Sequence, residues 1–202
     1  MFYEHKNGIS YRKLDREDLP QLLDLKNESW FGTVHTACLN SSDQEKWFEK
    51  ISNDKTCLYV IAFASGGFNG PVGLYGITNI DGINQSCDFT HSVYSASRGK
   101  GLGKKTLQAG IDMTFEVFNM RRIDTWILSN NLAEIKVAKS IGFIEEGAKR
   151  QAVYKCGEYL DCKLFGLLRS EWDSSSEVAK FRTEIPEGVC NNTYQPKNAE
   201  TN

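Results

Sequence analysis

The second half of the chain alternates between helical and extended hydrophobic patterns. Apolar residues recur at helical spacing between Leu107 and Phe118, and the extended run IDTWIL follows them. A second helical pattern runs from about Asn131 to Ile141. Gly142 suits the end of that helix, because glycine readily adopts the left-handed conformation found after helix C-termini. Two strands are then predicted, at Arg150 to Lys155 and Tyr159 to Leu168.

The first half predicts two helices and a run of strands. A strand at Ile9 to Leu14 precedes a helix that Asp15 can cap, and Ser42 with Glu45 predicts a capping box for a second helix. Three β-like runs follow, CLYVIAFA, PVGLYGITNI and SCDFTHSVY, separated by the turn-forming segments SGGFNG and DGINQ. These runs indicate an antiparallel meander.

The whole pattern predicts one α+β (mixed α/β) domain built on a single central sheet. We place this domain at residues 1–172. Residues 173–202 are polar and contain few large apolar side chains, so they are predicted to form a tail that is disordered or loosely docked.

The composition excludes several classes of protein. The 24 Lys and Arg residues nearly balance the 26 Asp and Glu residues, so the net charge of -2 favours neither nucleic acid nor an anionic membrane surface. No apolar run approaches the roughly 20 residues of a membrane span, and the first residues do not resemble a signal peptide. The six cysteines form no pair or cluster of zinc-ligand spacing. We therefore expect a cytoplasmic protein with reduced thiols, no metal, and no membrane or nucleic-acid partner.

The segment from Val93 to Gly103 carries the most specific motif. It reads VYSASRGKGLG, a strand end that enters a glycine-rich turn and opens a helix. Glycines let the backbone approach a ligand closely, and the N–H groups at a helix N-terminus favour an anion. Arg98, Lys100 and Lys104 add positive charge to an otherwise nearly neutral chain. Together these features predict a ligand that carries a diphosphate.

This loop fits neither the P-loop nor the dinucleotide-binding fingerprint. Its R-x-x-G-x-G pattern resembles the coenzyme A signature, [QR]-x-x-G-x-[GA], of the general-control-related N-acetyltransferase (GNAT) superfamily. The segment NNLAEIKVAKSIGF from Asn130 is similar to a helix of that superfamily. The following E-G-x-x-[KR]-x-x-x-x-x-x-G-x-Y-x-D pattern resembles the branch that acetylates ribosomal-protein N-termini. The resemblance is close from Asp88 to Trp172 and extends to the first 80 residues only in element order.

The resemblance implies a mostly antiparallel sheet of six to seven strands, with helices on both faces and a V-shaped cleft for acetyl-CoA. Val93 and Tyr94 would offer backbone groups to the pantetheine arm of that co-substrate. The residues from Arg98 to Lys104 would surround the diphosphate, and Asn131 would contact the cofactor. The implied binding residues are thus Val93, Tyr94, Arg98, Gly99, Lys100, Gly101, Leu102, Gly103, Lys104 and Asn131.

Acetyl transfer to an amine requires a group that deprotonates the amine and a group that protonates the leaving thiolate. By resemblance, Asp88 occupies the position of a general base on the strand before the phosphate loop. His91 should project from the opposite face of that strand, because strand side chains alternate. Ala138 stands where many relatives carry a tyrosine that protonates the thiolate. Tyr94, Tyr154 and Tyr159 are the remaining candidate proton donors, and Tyr154 is the one expected near the acceptor cleft.

The acceptor is left open between several classes. The C-terminal half favours a protein N-terminal amine. The pair Trp47-Phe48 is weakly reminiscent of enzymes that acetylate amino sugars, which can be nucleotide-linked, so an amino sugar or another small amine is the alternative. A non-catalytic acetyl-CoA-binding module is a third hypothesis. Trp126 is expected to lie in the core, and a monomer or a homodimer fits the sequence equally.

Overall fold

The computed structural model describes residues 2–33 and 39–174. Most of the predicted tail, residues 175–202, lies outside the described residues, as does Cys38. Within the described part, Trp172 is buried and its indole N–H donates to Asp112 Oδ1 at 2.8 Å. This contact ties the last described helix to the domain.

The described residues form eight strands and five α-helices. The strands are β1 (Tyr3–Glu4), β2 (Ile9–Lys13), β3 (Leu58–Ala64), β4 (Pro71–Asp81), β5 (Ser86–Val93), β6 (Arg122–Leu128), β7 (Ile144–Lys155) and β8 (Glu158–Leu168). The helices are α1 (Leu19–Ser29), α2 (Ser41–Ser52), α3 (Leu102–Glu116), α4 (Leu132–Ser140) and α5 (Arg169–Ser174). Short 3-10 turns lie at Arg16–Asp18, Trp30–Gly32 and Ser95–Ser97.

The eight strands form one sheet in the order β1-β2-β3-β4-β5-β6-β8-β7. Neighbouring strands pair antiparallel except β5 and β6, which run parallel. The mixed fold and the mostly antiparallel sheet are as predicted, but the sheet has one strand more than the six to seven expected. The additional strand is β1, whose two residues are too few to produce a hydrophobic alternation in the sequence.

Helices α3 and α4 cover one face of the sheet, where the larger core cluster lies. Gly110 of α3 lies directly against the ring of Tyr75 on β4, since a Cβ at that glycine would come within 2.5 Å of ring carbons. The Tyr75 hydroxyl shares a 2.9 Å hydrogen bond with Thr114 Oγ1. The principal buried side chains of this cluster are Tyr75, Ile77, Phe89, Leu107, Ile111, Phe115, Phe143 and Phe165.

Helices α1 and α2 cover the opposite face with a smaller core. Its buried residues are Leu14, Leu22, Leu25, Ile61, Leu74 and Tyr94. The capping box of α2 is formed by Asn40 and Asp43, and not by the predicted pair Ser42 and Glu45. The Asn40 side chain accepts a hydrogen bond from the N–H of Asp43, which starts the helix two residues earlier than the sequence pattern indicated.

Candidate active site

The parallel strands β5 and β6 pair over only three residues and then separate. Their register joins Ser86–Asp88 to Arg122–Asp124, and the next contact is a long 3.5 Å hydrogen bond from Thr125 Oγ1 to the carbonyl of Phe89. A cleft of about 1020 Å³ occupies the opening, with walls from α1, β5, β6, α4 and the loop before α3. The sheet therefore has a V-shaped opening at its centre.

The hydrogen-bond phase of β5 determines which backbone groups face this opening. The N–H of Tyr94 donates to Val72 at 3.0 Å, and its carbonyl accepts from Ser97 at 2.8 Å. Both groups of Tyr94 are thus engaged within the protein, and its contact with a ligand stays a prediction. In an antiparallel pair alternate residues point to opposite sides of the strand. The backbone groups of His91 and Val93 thus point away from β4, toward the cleft.

The glycine-rich loop adopts a conformation suited to an anion. Gly99 and Gly101 both have φ of +73°, and no atom lies within 4 Å of a Cβ built on either residue. Gly101 is the N-cap residue of α3, and no side chain caps this helix. Helix N-termini carry partial positive charge and N–H donors, so this loop can receive the diphosphate of coenzyme A.

Most of the residues predicted to bind the cofactor line the cleft. Those in the lining are Val93, Arg98, Gly99, Gly101, Gly103, Lys104 and Asn131, whereas Tyr94, Lys100 and Leu102 are not part of it. The Lys100 ammonium lies 5.1 Å from the centre of the Phe68 ring, and Leu102 packs against the larger core. Direct contact of each residue with acetyl-CoA stays a prediction.

Asn131 connects α4 to the turn that follows α1. Its Oδ1 accepts from the N–H of Glu134, which makes it the N-cap of α4, and its Nδ2 donates to the carbonyl of Gly32 at 3.0 Å. A Cβ on Gly32 would come within 2.9 Å of that Nδ2. Asn131 thus holds one wall of the cleft against the other.

Asp88 lies at the narrow end of the opening, at the last paired position of β5. Partial burial raises the pKa of its carboxyl group, and the charge of Asp124 raises it further, against a lowering hydrogen bond from Asn79. That bond joins Asn79 Nδ2 to Asp88 Oδ2 at 2.7 Å. A half-buried carboxylate with a raised pKa has the properties of a general base.

Tyr154 and Ala138 do not supply a phenol to the cleft. Tyr154 is 56 % exposed at the end of β7 and packs on Tyr159 with ring centres 5.1 Å apart. Tyr154 is not part of the cleft lining, but the neighbouring Lys155 donates to the carbonyl of Trp30, next to the α1 wall, so the placement of Tyr154 near the acceptor stays a prediction. Ala138 is fully buried in α4.

Several cleft residues were not selected from the sequence. Trp126 was expected in the core, yet it is 50 % exposed, lines the cleft, and holds the Lys149 ammonium 3.2 Å from a ring centre. Glu28 and Lys26 of α1 also line it. Burial lowers the pKa of Lys26 to about 8, and its ammonium lies 3.3 Å from the centre of a Trp47 ring. Side chains of β6 alternate between the two faces of the sheet, and this period-two alternation could have placed Trp126 on the face opposite the larger core.

A family comparison establishes the class of the protein. The model described as "Acetyltransferase (GNAT) domain" matches residues 9–144, which include β5, the glycine-rich loop and α4. The chain belongs to the GNAT acetyltransferase family. This GNAT protein is therefore an acyltransferase that uses acetyl-CoA, and the loop and opening described above fit that co-substrate.

Curated relatives of this GNAT chain act on different acceptors, according to their names. It is 23 % identical over 174 residues to spermidine N(1)-acetyltransferase of Vibrio cholerae, covering 84 % of this chain and 98 % of that protein. It is 25 % identical over 171 residues to a provisionally named ribosomal N-acetyltransferase of Bacillus subtilis, covering 82 % and 93 %. The relatives agree on N-acetyl transfer and do not single out the ribosomal branch.

A solved structure confirms the GNAT fold. The spermidine N-acetyltransferase of Vibrio cholerae, in complex with CoA and spermine, superposes with a TM-score of 0.77 at 21 % identity, covering 83 % of this chain and 99 % of that one. Among residues 2–33 and 39–174, no group of three or more His, Cys, Asp or Glu side chains could hold a metal ion. In the same part of the chain, no helix is long and apolar enough to cross a membrane.

Proposed function

We propose that this enzyme transfers the acetyl group of acetyl-CoA to the primary amine of a small, cationic acceptor. The observation that carries the proposal is that two carboxylates, those of Glu28 and Asp88, line the cleft. Asp88 lies at the narrow end of the β5–β6 opening. Its side chain lies on the face of β5 covered by α1 and α2, opposite the face covered by α3 and α4. The acceptor and the cofactor would therefore approach the reaction centre from opposite sides of the sheet.

The chain's own groups can supply the main requirements of the reaction. Bound acetyl-CoA supplies an activated acetyl thioester. The glycine-rich loop and the first turn of α3 hold its diphosphate, and the outward backbone groups of His91 and Val93 can hold its arm. The Val93 N–H faces the opening and can donate to an oxygen that gains negative charge. Asp88 then accepts a proton from the attacking amine.

Carboxylates on the acceptor side favour an ammonium. Glu28 and Asp88 line this part of the cleft and attract a cation. The indole of Trp126 on the same side of the sheet already carries the Lys149 ammonium 3.2 Å from a ring centre, so it adds no contact for a second cation. Lys26 opposes the two carboxylates, but its ammonium is bonded to Gln44 Oε1 at 3.1 Å and packed on Trp47.

A protein N-terminal amine is the second candidate. It is favoured by the similarity to the Bacillus subtilis relative and by the sequence pattern at the β7–β8 hairpin. Such an acceptor also presents a primary amine to Asp88, but it must bring a peptide chain through the same opening.

An acceptor screen tests the proposal by measuring release of the CoA thiol. The acceptors are spermidine, a monoamine, glucosamine, methionine sulfone and a tripeptide with a free N-terminus. We expect kcat/KM for at least one cationic small amine to exceed that for the tripeptide by about tenfold or more. A tripeptide that exceeds every small amine would refute the small-amine acceptor and favour the second candidate.

The variant Glu28→Gln tests the electrostatic part of the argument. Loss of one carboxylate near the ammonium is worth about 1 kcal/mol in a partly exposed site, so KM for the cationic acceptor should rise several-fold. Affinity for acetyl-CoA should not change. Glu158→Gln, in the exposed hairpin between β7 and β8, is the matched control and should leave both quantities unchanged.

A further inference from the structure

We propose that Asn79 is a positioning residue, which holds one oxygen of the Asp88 carboxylate so that the other faces the attacking amine. The inference rests on the proposed function, because it concerns the group that accepts the proton in that reaction. Both residues line the cleft, Asn79 from β4 and Asp88 from β5. Since β4 and β6 flank β5, Asn79 lies beside the candidate base on the side away from β6.

An extra residue in β4 brings Asn79 next to Asp88. Thr78 of β4 pairs with Asp88. The next pair joins Asp81 to Ser86, so three steps along β4 match two steps along β5. Without this bulge, the residue after Thr78 would point to the face of the sheet opposite Asp88, because side chains alternate along a strand. Bulges re-aim side chains in this way and are frequent next to active sites.

The backbone of Asn79 has a conformation that few residues adopt within a strand. Its φ is +50°, in the left-handed region that asparagine enters more readily than most residues apart from glycine. Unusual backbone of this kind is concentrated at functional sites. Asn79 is exposed, so packing of its side chain in a core does not account for the conformation. Its 2.7 Å hydrogen bond to Asp88 gives the conformation a role.

The hydrogen bond defines which oxygen of Asp88 is available. An ionised carboxylate only accepts hydrogen bonds, so the atom of Asn79 that faces Oδ2 is the amide nitrogen Nδ2. Within residues 2–33 and 39–174, Asp88 Oδ1 takes part in no hydrogen bond or ion pair. The amine nitrogen would give its proton to Oδ1, and Asn79 would keep both of its amide protons. Asp88 then releases the proton to solvent.

The charge of the surrounding groups makes the Asn79 contact consequential. Partial burial raises the pKa of Asp88, as does the charge of Asp124, its paired residue on β6. Asp124 is itself bonded to Arg122, whose Nε donates to its Oδ2 at 2.9 Å. The Asn79 hydrogen bond lowers the pKa of Asp88, because it favours the ionised carboxylate. The other acidic, basic and histidine residues of the cleft lining are Lys26, Glu28, His91, Arg98, Lys104 and Glu134.

Carbon-13 nuclear magnetic resonance of the carboxyl groups tests the contact without turnover, and Asp88→Asn assigns the Asp88 signal. Asn79→Gly removes the amide and keeps a residue that adopts positive φ without strain. We expect the titration midpoint of Asp88 to move to higher pH in this variant, because a hydrogen bond to the ionised form is lost. Gln85→Gly is the matched control, since Gln85 also has a positive φ but lies outside the cleft lining. A midpoint that is the same in the unmodified protein and in Asn79→Gly would overturn the proposal.

The pH dependence of kcat tests the role in the reaction. Asn79→Gly should lower the highest kcat by roughly tenfold, because Asp88 is no longer held in place, and should move the acid-side fall of kcat to higher pH. Asn79→Asp keeps the shape and the tolerance of positive φ, but it sets a second carboxylate beside Asp88 and should move the fall further. Acetyl-CoA affinity should be nearly unchanged in both. An unmodified pH profile in Asn79→Asp would refute the positioning role, since a purely structural residue tolerates this change of similar shape.

These outcomes separate the two proposals. An unmodified enzyme that acetylates none of the amines tested would contradict the proposed function, while the titration of Asp88 would still show whether Asn79 holds its carboxylate. Acetylation of an amine, combined with the same acid-side fall of kcat in the unmodified enzyme and in both Asn79 variants, would retain the function and remove Asn79 from it.

Discussion

Replacing Gly101 with aspartate should abolish tight binding of acetyl-CoA while leaving the domain folded. Gly101 is the N-cap of α3 in a left-handed conformation, with φ of 73° and ψ of 0°. A Cβ at this position meets no atom within 4 Å, so the new side chain has room. Aspartate tolerates the left-handed region better than most residues, although any side chain there is strained. The substitution therefore places a carboxylate at the diphosphate site at a cost in stability of about 1–2 kcal/mol.

The magnitude follows from the Coulomb energy of the added charge. With an effective dielectric constant of about 20 and a separation of about 5 Å, two unit charges repel by about 3 kcal/mol. A loss of this size weakens binding by about 100-fold. The charge of the second phosphate adds to the repulsion and so increases the loss. The carboxylate can also accept hydrogen bonds from the first-turn N–H groups of α3, so it competes with the phosphates for the same donors.

Isothermal titration calorimetry with acetyl-CoA measures this loss, and Gly101→Asn is the matched control. Asparagine has nearly the same shape and the same tolerance of the left-handed region, but it carries no charge. We expect Gly101→Asn to bind within about tenfold of the unmodified enzyme, and Gly101→Asp to bind at least 100-fold more weakly than the unmodified enzyme. Higher ionic strength should reduce the difference between the variants. Equal affinities for the two variants would show that the diphosphate does not bind at this helix N-terminus.

Two further predictions concern the base and the core. Asp88→Asn should lower kcat by roughly 10²- to 10⁴-fold at unchanged acetyl-CoA affinity, and it should remove the acid-side fall of kcat, because a base with a raised pKa is protonated first as the pH decreases. A variant with unmodified kcat at pH 7 would exclude Asp88 as the base. Gly110→Ala should destabilise the domain by about 1–3 kcal/mol in chemical denaturation, since its Cβ would come within 2.5 Å of the Tyr75 ring. Gly82→Ala, where no atom lies within 4 Å of a Cβ, is the control, and equal effects of the two would contradict the packing argument.

The sequence alone was sufficient for the fold class and for the conformation of the glycine-rich loop. Period-two and helical spacings marked seven of the eight strands, because a buried face imposes a regular apolar pattern on a strand or a helix. The loop from Val93 to Gly103 was recognisable because its positive-φ glycines and its helix start are local features. Local features require no knowledge of distant residues.

The tertiary structure alone decided how the candidate site residues are arranged. The phase of the β4–β5 hydrogen bonds directed the backbone of His91, and not that of Tyr94, toward the opening, and this phase depends on the partner strand. The strand order placed β7 at the edge of the sheet beyond β8, which no spacing along the chain could indicate. The imidazole of His91 is enclosed by Thr106 and Glu134, which are 15 and 43 positions further along the chain. Sequence periodicity reports which face of a strand is buried, whereas the site depends on which distant elements cover that face.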